Sequence, residues 1–229
     1  MKNTALIPFV FLFFAGFAAR AQDCTSSFFP SKEGTKTEMT SYDKNGKEKG
    51  KAETTIVSVK KTGTVTEYDL KSETTGTGNK ITSAEFTAKC DGNTISVSMK
   101  SFLPSGTQNS TGSGEINIDA TDLNFPNSII VGQKLNDGKV TMTMNMGTMT
   151  MKTTINIVNR TVTGKESITT PEGTFDCYKI EYDVESQVMN MNTKSKVKQW
   201  IARGVGTVKT ENYNDKGELM GYSQLTSIK

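Results

Sequence analysis

The chain has 229 residues, no histidine, and 27 basic side chains nearly balanced by 24 acidic ones. So small a net charge excludes an electrostatic surface for nucleic acid or anionic lipid. Without histidine the chain lacks the usual base of nucleophilic catalysis, and no phosphate-binding loop is present, so we expect neither an enzyme nor a bound cofactor or metal.

The N-terminal residues 1–21 have the pattern of a cleaved signal peptide. Lys2 supplies a positive end, residues 5–19 form a short apolar run, and Ala19-Arg20-Ala21 reads as a small-x-small cleavage site. The run is shorter than the roughly 20 residues of a membrane span. We therefore predict an exported protein whose mature part, residues 22–229, is a single domain without a membrane span.

Three cysteines remain after this cleavage, Cys24, Cys90 and Cys177. An odd number in an oxidising compartment predicts one disulfide and one free thiol. Cys24 lies near the new N-terminus and could reach either partner. We favour Cys24–Cys90, whose loop of about 65 residues is worth roughly 4 kcal/mol in the chain-entropy model.

A lipid anchor on Cys24 is not expected. That signal needs a small residue directly before the cysteine and a leucine three positions before it, whereas Asp23 and Ala21 stand there. We predict a periplasmic or extracellular protein that is not lipid-anchored.

The remaining chain alternates apolar and polar residues, is rich in threonine and has frequent turn signals, which is typical of β structure. We predict an all-β fold, an antiparallel β-barrel or curled half-barrel of about 11–12 strands with little helix. The segment 102–135 is the least regular, and we predict an excursion over the sheet there, as a flap or plug. The predicted strands are 35–43, 48–60, 63–75, 80–90, 94–101, 114–119, 139–146, 149–169, 174–188, 191–203, 206–214 and 218–228.

Two neighbouring strands between residues 174 and 203 carry alternating charges that fix their register. A two-residue turn at Met189-Asn190 places carboxylates opposite lysines and Tyr182 opposite Val197. Because every carboxylate has a lysine across from it, we predict a solvated, charge-paired outer face rather than a calcium site. The predicted pairs are Glu185/Lys194, Asp183/Lys196 and Glu181/Lys198.

The stretch KVTMTMNMGTMTMK, residues 139–152, is rich in methionine. A hairpin that turns at Gly147-Thr148 places its methionines on one face. If 149–169 is one long strand, bulged at Asn159-Arg160, this tip lies at the same end of the sheet as the 189–190 turn. If Asn159-Arg160 is instead a hairpin turn, the second tip lies at the opposite end, and we favour the long strand. The methionines that would then rim one mouth are Met142, Met144, Met146, Met149, Met151, Met189 and Met191.

Three interpretations of these methionines remain open. They form a core patch, they contact an apolar cargo through flexible and polarizable side chains, or their thioethers bind Cu(I). Exported copper sites usually add histidine or cysteine. The absence of histidine therefore favours apolar contact over metal.

The C-terminal half contains GKESITTPEGTFDCYKIEYDVES and KQWIARGVGTVKTENYNDKGELMGYSQL, and the N-terminal half contains SYDKNGK and KCDGN. In these stretches the chain resembles the TapB-like family of uncharacterised exported bacterial proteins. That family is similar to a broader group with a lipoprotein-carrier-like β-half-barrel. The resemblance implies this fold and, by analogy, an apolar cargo, but it implies no catalytic or binding residues.

Together these observations predict an exported, non-catalytic protein that binds an apolar small molecule or an envelope protein. Two alternatives stay open, a methionine-rich Cu(I)-binding protein and an envelope structural protein without a ligand.

Overall fold

The computed structural model describes Cys24 and residues 27–76, 81–102, 115–146, 148–189 and 191–229. The predicted signal peptide lies outside these residues. Thirteen strands form one antiparallel sheet in the order β6-β8-β9-β10-β11-β12-β13-β1-β2-β3-β4-β5-β7, which is nearly closed into a barrel. The strands are β1 (Lys36–Asp43), β2 (Glu48–Thr62), β3 (Val65–Thr75), β4 (Ile81–Cys90), β5 (Thr94–Ser98), β6 (Glu115–Ala120), β7 (Asp122–Pro126), β8 (Gly138–Met146), β9 (Met149–Thr170), β10 (Gly173–Val188), β11 (Met191–Ala202), β12 (Gly206–Asn214) and β13 (Leu219–Ile228), and a short 3-10 helix spans Met99–Phe102.

One extended segment closes the barrel. Its first half, β6, pairs with β8, and its second half, β7, pairs with β5, so the two edges of the sheet are consecutive in the chain. Thr121 lies between β6 and β7 and forms backbone hydrogen bonds with β8 and with the 3-10 helix. Its amide donates to Lys139 O at 2.9 Å, and its carbonyl accepts from Met99 N at 3.0 Å. Full closure is the most complete way to protect exposed strand edges.

Gly138, the first residue of β8, permits this closure. A Cβ atom at Gly138 would lie 2.6 Å from Leu123 Cδ2 and 3.1 Å from Met99 Sδ. Any other residue would therefore force the side chains of Leu123 and Met99 to shift.

The predicted strand 114–119 is confirmed as β6, whereas the prediction of an irregular excursion over residues 102–135 is wrong for residues 122–126, which form β7. Each strand is short, and the pair changes partners at Thr121, so neither shows a long alternating pattern. Residues 127–137 do connect the strands irregularly, and Ile129 and Leu135 from this loop are buried against the barrel interior. Residues 103–114 lie outside the described part of the chain.

The β8–β9 hairpin has the predicted register, with Met146 opposite Met149, Met144 opposite Met151 and Val140 opposite Ile155. Strand β9 is continuous to Thr170, and the predicted bulge is confirmed, since the pairing with β10 shifts next to Asn159, whose φ is 59°. The β8–β9 and β10–β11 tips therefore lie at the same end of the barrel, which we call the methionine end.

The β10–β11 hairpin also has the predicted register in all three charge pairs. The prediction of a solvated face is wrong at Asp183, which is only 8% exposed. The bulge in β9 brings Asn159 Nδ2 to 2.9 Å from Asp183 Oδ2, and Lys194 and Lys196 each approach the carboxylate to 3.3 Å. Burial alone would raise the pKa of Asp183, but these hydrogen bonds hold it below its usual value.

Three apolar clusters lie in the barrel interior, and all three contact the ring of Phe125. Phe125 on β7 packs against the cluster around Ile56 and Leu70, the cluster around Val162 and Ile180, and the cluster around Val140. The strand that closes the barrel is thus also the centre of its core. Within the described residues, no helix has the length and hydropathy needed to cross a bilayer.

Candidate functional site

The barrel interior contains an apolar cavity of about 300 Å³. This volume is at the low end of the roughly 300–1,000 Å³ that ligand pockets occupy. Strands β2 to β5 and β7 contribute its apolar wall because their alternate residues point inward. The residues of this wall are Ile56, Leu70, Phe86, Ile95, Val97, Leu123 and Phe125.

An N-terminal strap, Cys24 and residues 27–30, supplies Phe28, Phe29 and Pro30 to the cavity wall. The strap lies at the end of the barrel opposite the methionine end, since Gly204, in the turn after β11, donates from its amide to Ser27 O at 2.8 Å. A disulfide links Cys24 to Cys90 at the end of β4. The strap is therefore held to the barrel by a covalent bond and by its aromatic contacts.

Both phenylalanines of the strap contact tyrosines of the barrel wall. Phe28 packs edge-on against Tyr178, with ring centroids 5.5 Å apart, and Phe29 lies 5.2 Å from Tyr68. Such pairs stabilise by about 0.5–1.5 kcal/mol beyond the burial of their area. The strap is accordingly a built part of the cavity.

Uncharged polar groups also line the cavity, beside apolar side chains of the same strands such as Met39 and Ile201. Gln199 Nε2 donates to Thr207 Oγ1 at 2.8 Å, and both residues line the cavity. Thr35, directly before β1, Thr37 in β1 and Thr54 in β2 add hydroxyl groups. The described lining residues include no charged side chain.

Arg160 points inward from the β9 bulge and is 2% exposed. Its Nη1 donates to Asn136 O at 2.6 Å and to Asn124 O at 3.2 Å. Burial lowers the pKa of Arg160 to about 10, and burial raises the pKa of the neighbouring Tyr182 to about 12. The guanidinium stacks on Phe125, so this ring stands between the cation and the cavity.

Arg203 is a second cation that contacts an aromatic ring of the cavity lining. The guanidinium carbon of Arg203 lies 4.6 Å from the centroid of the Phe28 ring, and its Nη1 donates to Asn127 O at 2.7 Å. Arg160 and Arg203 thus each bond backbone carbonyls and each contact an aromatic ring of the lining.

A larger depression of about 500 Å³ lies on the outer face over β9 to β12. Its charged groups already have partners, since Glu181 Oε1 accepts a hydrogen bond from Thr163 at 3.1 Å and Lys196 contacts Asp183. The apolar interior cavity is the better candidate because its polar groups are few and uncharged.

Of the predicted methionines whose side chains the structure describes, none lines this cavity. Met142 packs against the cluster of Met99, Leu123, Val140 and Ile157. Met144 and Met151 are half-buried on the same face of the hairpin. The strand register pairs Met146 with Met149 next to the tip.

The other two predicted methionines flank the 189–190 turn and face solvent. Met189 is 53% exposed and Met191 is 68% exposed. The role of the seven methionines in apolar contact stays a prediction.

The third cysteine lies in a separate cluster on the outer face. Cys177 is fully buried there beside Trp200, Ala202 and Val208. Burial raises the pKa of the Cys177 thiol to about 11, with Asp176 and Glu166 acting in the same direction. A thiol in such surroundings is unreactive.

Sequence reasoning missed the cavity residues because they come from eight separate strands and the strap. The inward positions of β3 and β4 were visible as alternation, but alternation does not say whether an interior is filled. The signal that could have pointed to the strap is Phe28-Phe29 four residues after Cys24, since aromatic residues beside a predicted disulfide are held close to the fold.

The fold and the cavity define a class, an antiparallel β-barrel with an apolar interior space covered at one end by a disulfide-tied strap. The DUF3108-like family model matches residues 32–225, and the chain belongs to that family. No curated protein shows significant similarity to the chain.

Two crystal structures share this architecture. One is an inferred exported protein with a YmcC-like fold from Bacteroides fragilis, which is 25% identical, has a TM-score of 0.71 and aligns over 89% of this chain and 99% of its own. The other is an inferred lipoprotein from Parabacteroides distasonis, which is 24% identical, has a TM-score of 0.74 and aligns over 91% of this chain and 100% of its own.

Proposed function

We propose that the protein is an exported, non-catalytic binder that holds an apolar molecule inside its barrel. The observation that carries this proposal is the cavity of about 300 Å³ between the strap and β7. An apolar molecule in this cavity would make dispersion contacts with the apolar wall. The wall lacks these contacts when the cavity is empty, so binding is favourable.

We also propose that the protein is exported and cleaved after Ala21. Within the DUF3108-like family, we propose that it belongs to the narrower TapB-like group. The similar Bacteroides fragilis protein is itself called exported, which supports the export of this chain. A free, unanchored N-terminus is supported by Cys24, whose sulfur is used by the disulfide and is thus not available for a thioether lipid. The intact mass of the exported protein should correspond to a chain that starts at Gln22, and an acylated Cys24 would contradict this part.

Native mass spectrometry of the protein purified from its own envelope fraction tests the binding proposal. We expect an additional non-covalent mass that organic extraction removes. Val97→Phe should abolish this mass by filling the cavity. Val57→Phe is the matched control, because Val57 is 54% exposed and lies outside the cavity. A wild-type protein that carries only its sequence mass would contradict the proposal.

A further inference from the structure

We infer that the cavity takes a neutral amphiphile, with a single medium-length apolar body and an uncharged hydroxyl or carbonyl head. This inference rests on the proposed function and names the chemical class of its ligand. It depends on how the polar and apolar groups are distributed over the cavity wall.

The size of the ligand follows from the volume. A space of about 300 Å³ is at the low end of the range that ligand pockets occupy. A medium-length chain fits inside the barrel, whereas the two acyl chains of a phospholipid do not.

The chemistry of the head follows from the Gln199–Thr207 pair. Gln199 donates its amide hydrogen to Thr207 Oγ1, so Thr207 keeps its hydroxyl proton and Gln199 keeps its carbonyl oxygen. Among the described residues, no partner takes up either group. One donor and one acceptor side by side match a ligand hydroxyl, which needs both.

The exclusion of charged heads follows from the same wall. Thr35, Thr37 and Thr54 add only hydroxyl groups, and the described lining residues carry no charge. A carboxylate or ammonium placed here would lose its hydration without gaining an ion pair, which is strongly unfavourable.

The two nearby cations do not change this conclusion. Arg160 and Arg203 donate to backbone carbonyls and stack on Phe125 and Phe28, so aromatic rings lie between the guanidinium groups and the cavity. An anionic ligand would have to displace one of these rings to reach a guanidinium.

Calorimetric titration of the mature protein with 1-octanol, octanoate and octylammonium at neutral pH tests the inference. We expect 1-octanol to bind at least a hundredfold more tightly than either ion. Gln199→Leu should weaken 1-octanol binding about three- to tenfold, the loss of one hydrogen bond. Gln187→Leu, the same change at an exposed position of the methionine end, should leave it unchanged.

The outcomes separate the two claims. Octanoate that binds as tightly as 1-octanol would overturn the neutral class and show that a guanidinium enters the cavity, while the proposed function would stand. Absence of binding by all three compounds, in a protein that also shows no co-purified mass, would overturn the proposed function itself.

Discussion

The guanidinium carbon of Arg160 lies 4.6 Å from the centroid of the Phe125 ring. The two residues come from β9 and β7, which are not neighbours in the sheet. Arg160 also binds the carbonyls of Asn124, in β7, and of Asn136, near the end of the 127–137 loop. A single side chain therefore joins the closing strand, the connecting loop and the centre of the core.

Arg160→Met should lower the free energy of unfolding by roughly 1.5–3 kcal/mol, the range for a hydrogen bond to a charged group. The aliphatic side chain can still pack on Phe125, but the two carbonyls lose their donor. Arg160→Lys should recover only part of the loss, because an ammonium lacks the planar fork that bonds and stacks together. Urea unfolding measures both, and a methionine variant as stable as wild type would show that Arg160 does not hold the closure.

Asp183 should make stability depend on pH in the acid range. Its pKa in the folded protein lies below the ordinary value of 3.8, so its contribution is complete above that value and is lost as pH falls through the lower folded pKa. The difference in free energy of unfolding between wild type and Asp183→Asn should therefore be constant near neutral pH and shrink below about pH 4. A difference that stays constant down to about pH 3 would mean that the carboxylate is not held by its three partners.

The cysteines should differ sharply in chemistry. Peptide mapping of the exported protein without reductant should find Cys24 linked to Cys90 and Cys177 as a free thiol. Since burial raises the pKa of Cys177 to about 11, an alkylating reagent at mildly alkaline pH should modify it only as fast as the protein unfolds. Rapid labelling of the native protein, or Cys177 in a bridge, would contradict this assignment.

The methionine hairpin permits a test between apolar contact and metal. Met144→Leu with Met151→Leu preserves volume and apolarity, so each change should cost less than about 1.5 kcal/mol. A Cu(I) competition titration should find no tight site in wild type or in the double variant. Tight one-to-one binding by the wild type that the variant loses would identify the thioethers as ligands.

The two hairpins could be predicted to the residue because their side chains specify the register. Opposite charges on β10 and β11 match in only one alignment, and a shift by one residue would turn Tyr182 and its neighbours to solvent. In the β8–β9 hairpin, the change of alternation at Gly147 places the turn. Asn159 tolerates a positive φ, so the sequence there is compatible with a bulge as well as with a turn.

The barrel closure and the cavity could not be predicted in the same way. Strand β7 has only five residues and a proline at its end, and its pairing with β5 depends on where the long segment before it places the chain. The burial of Asp183 depends on a third strand that the hairpin pattern does not include. The barrel closure, the cavity and the burial of Asp183 all depend on packing against elements that are distant in sequence. The alternation of apolar and polar residues within one strand does not report that packing.

Methyl NMR with 1-octanol as a neutral probe tests the central claim most directly, because it reports where an apolar guest lies. Addition of 1-octanol should shift the methyl resonances of Ile56, Leu70 and Ile95 in the cavity and leave those of Met144 and Met151 unchanged. Shifts confined to the two methionines would contradict the account and place the guest on the hairpin at the methionine end.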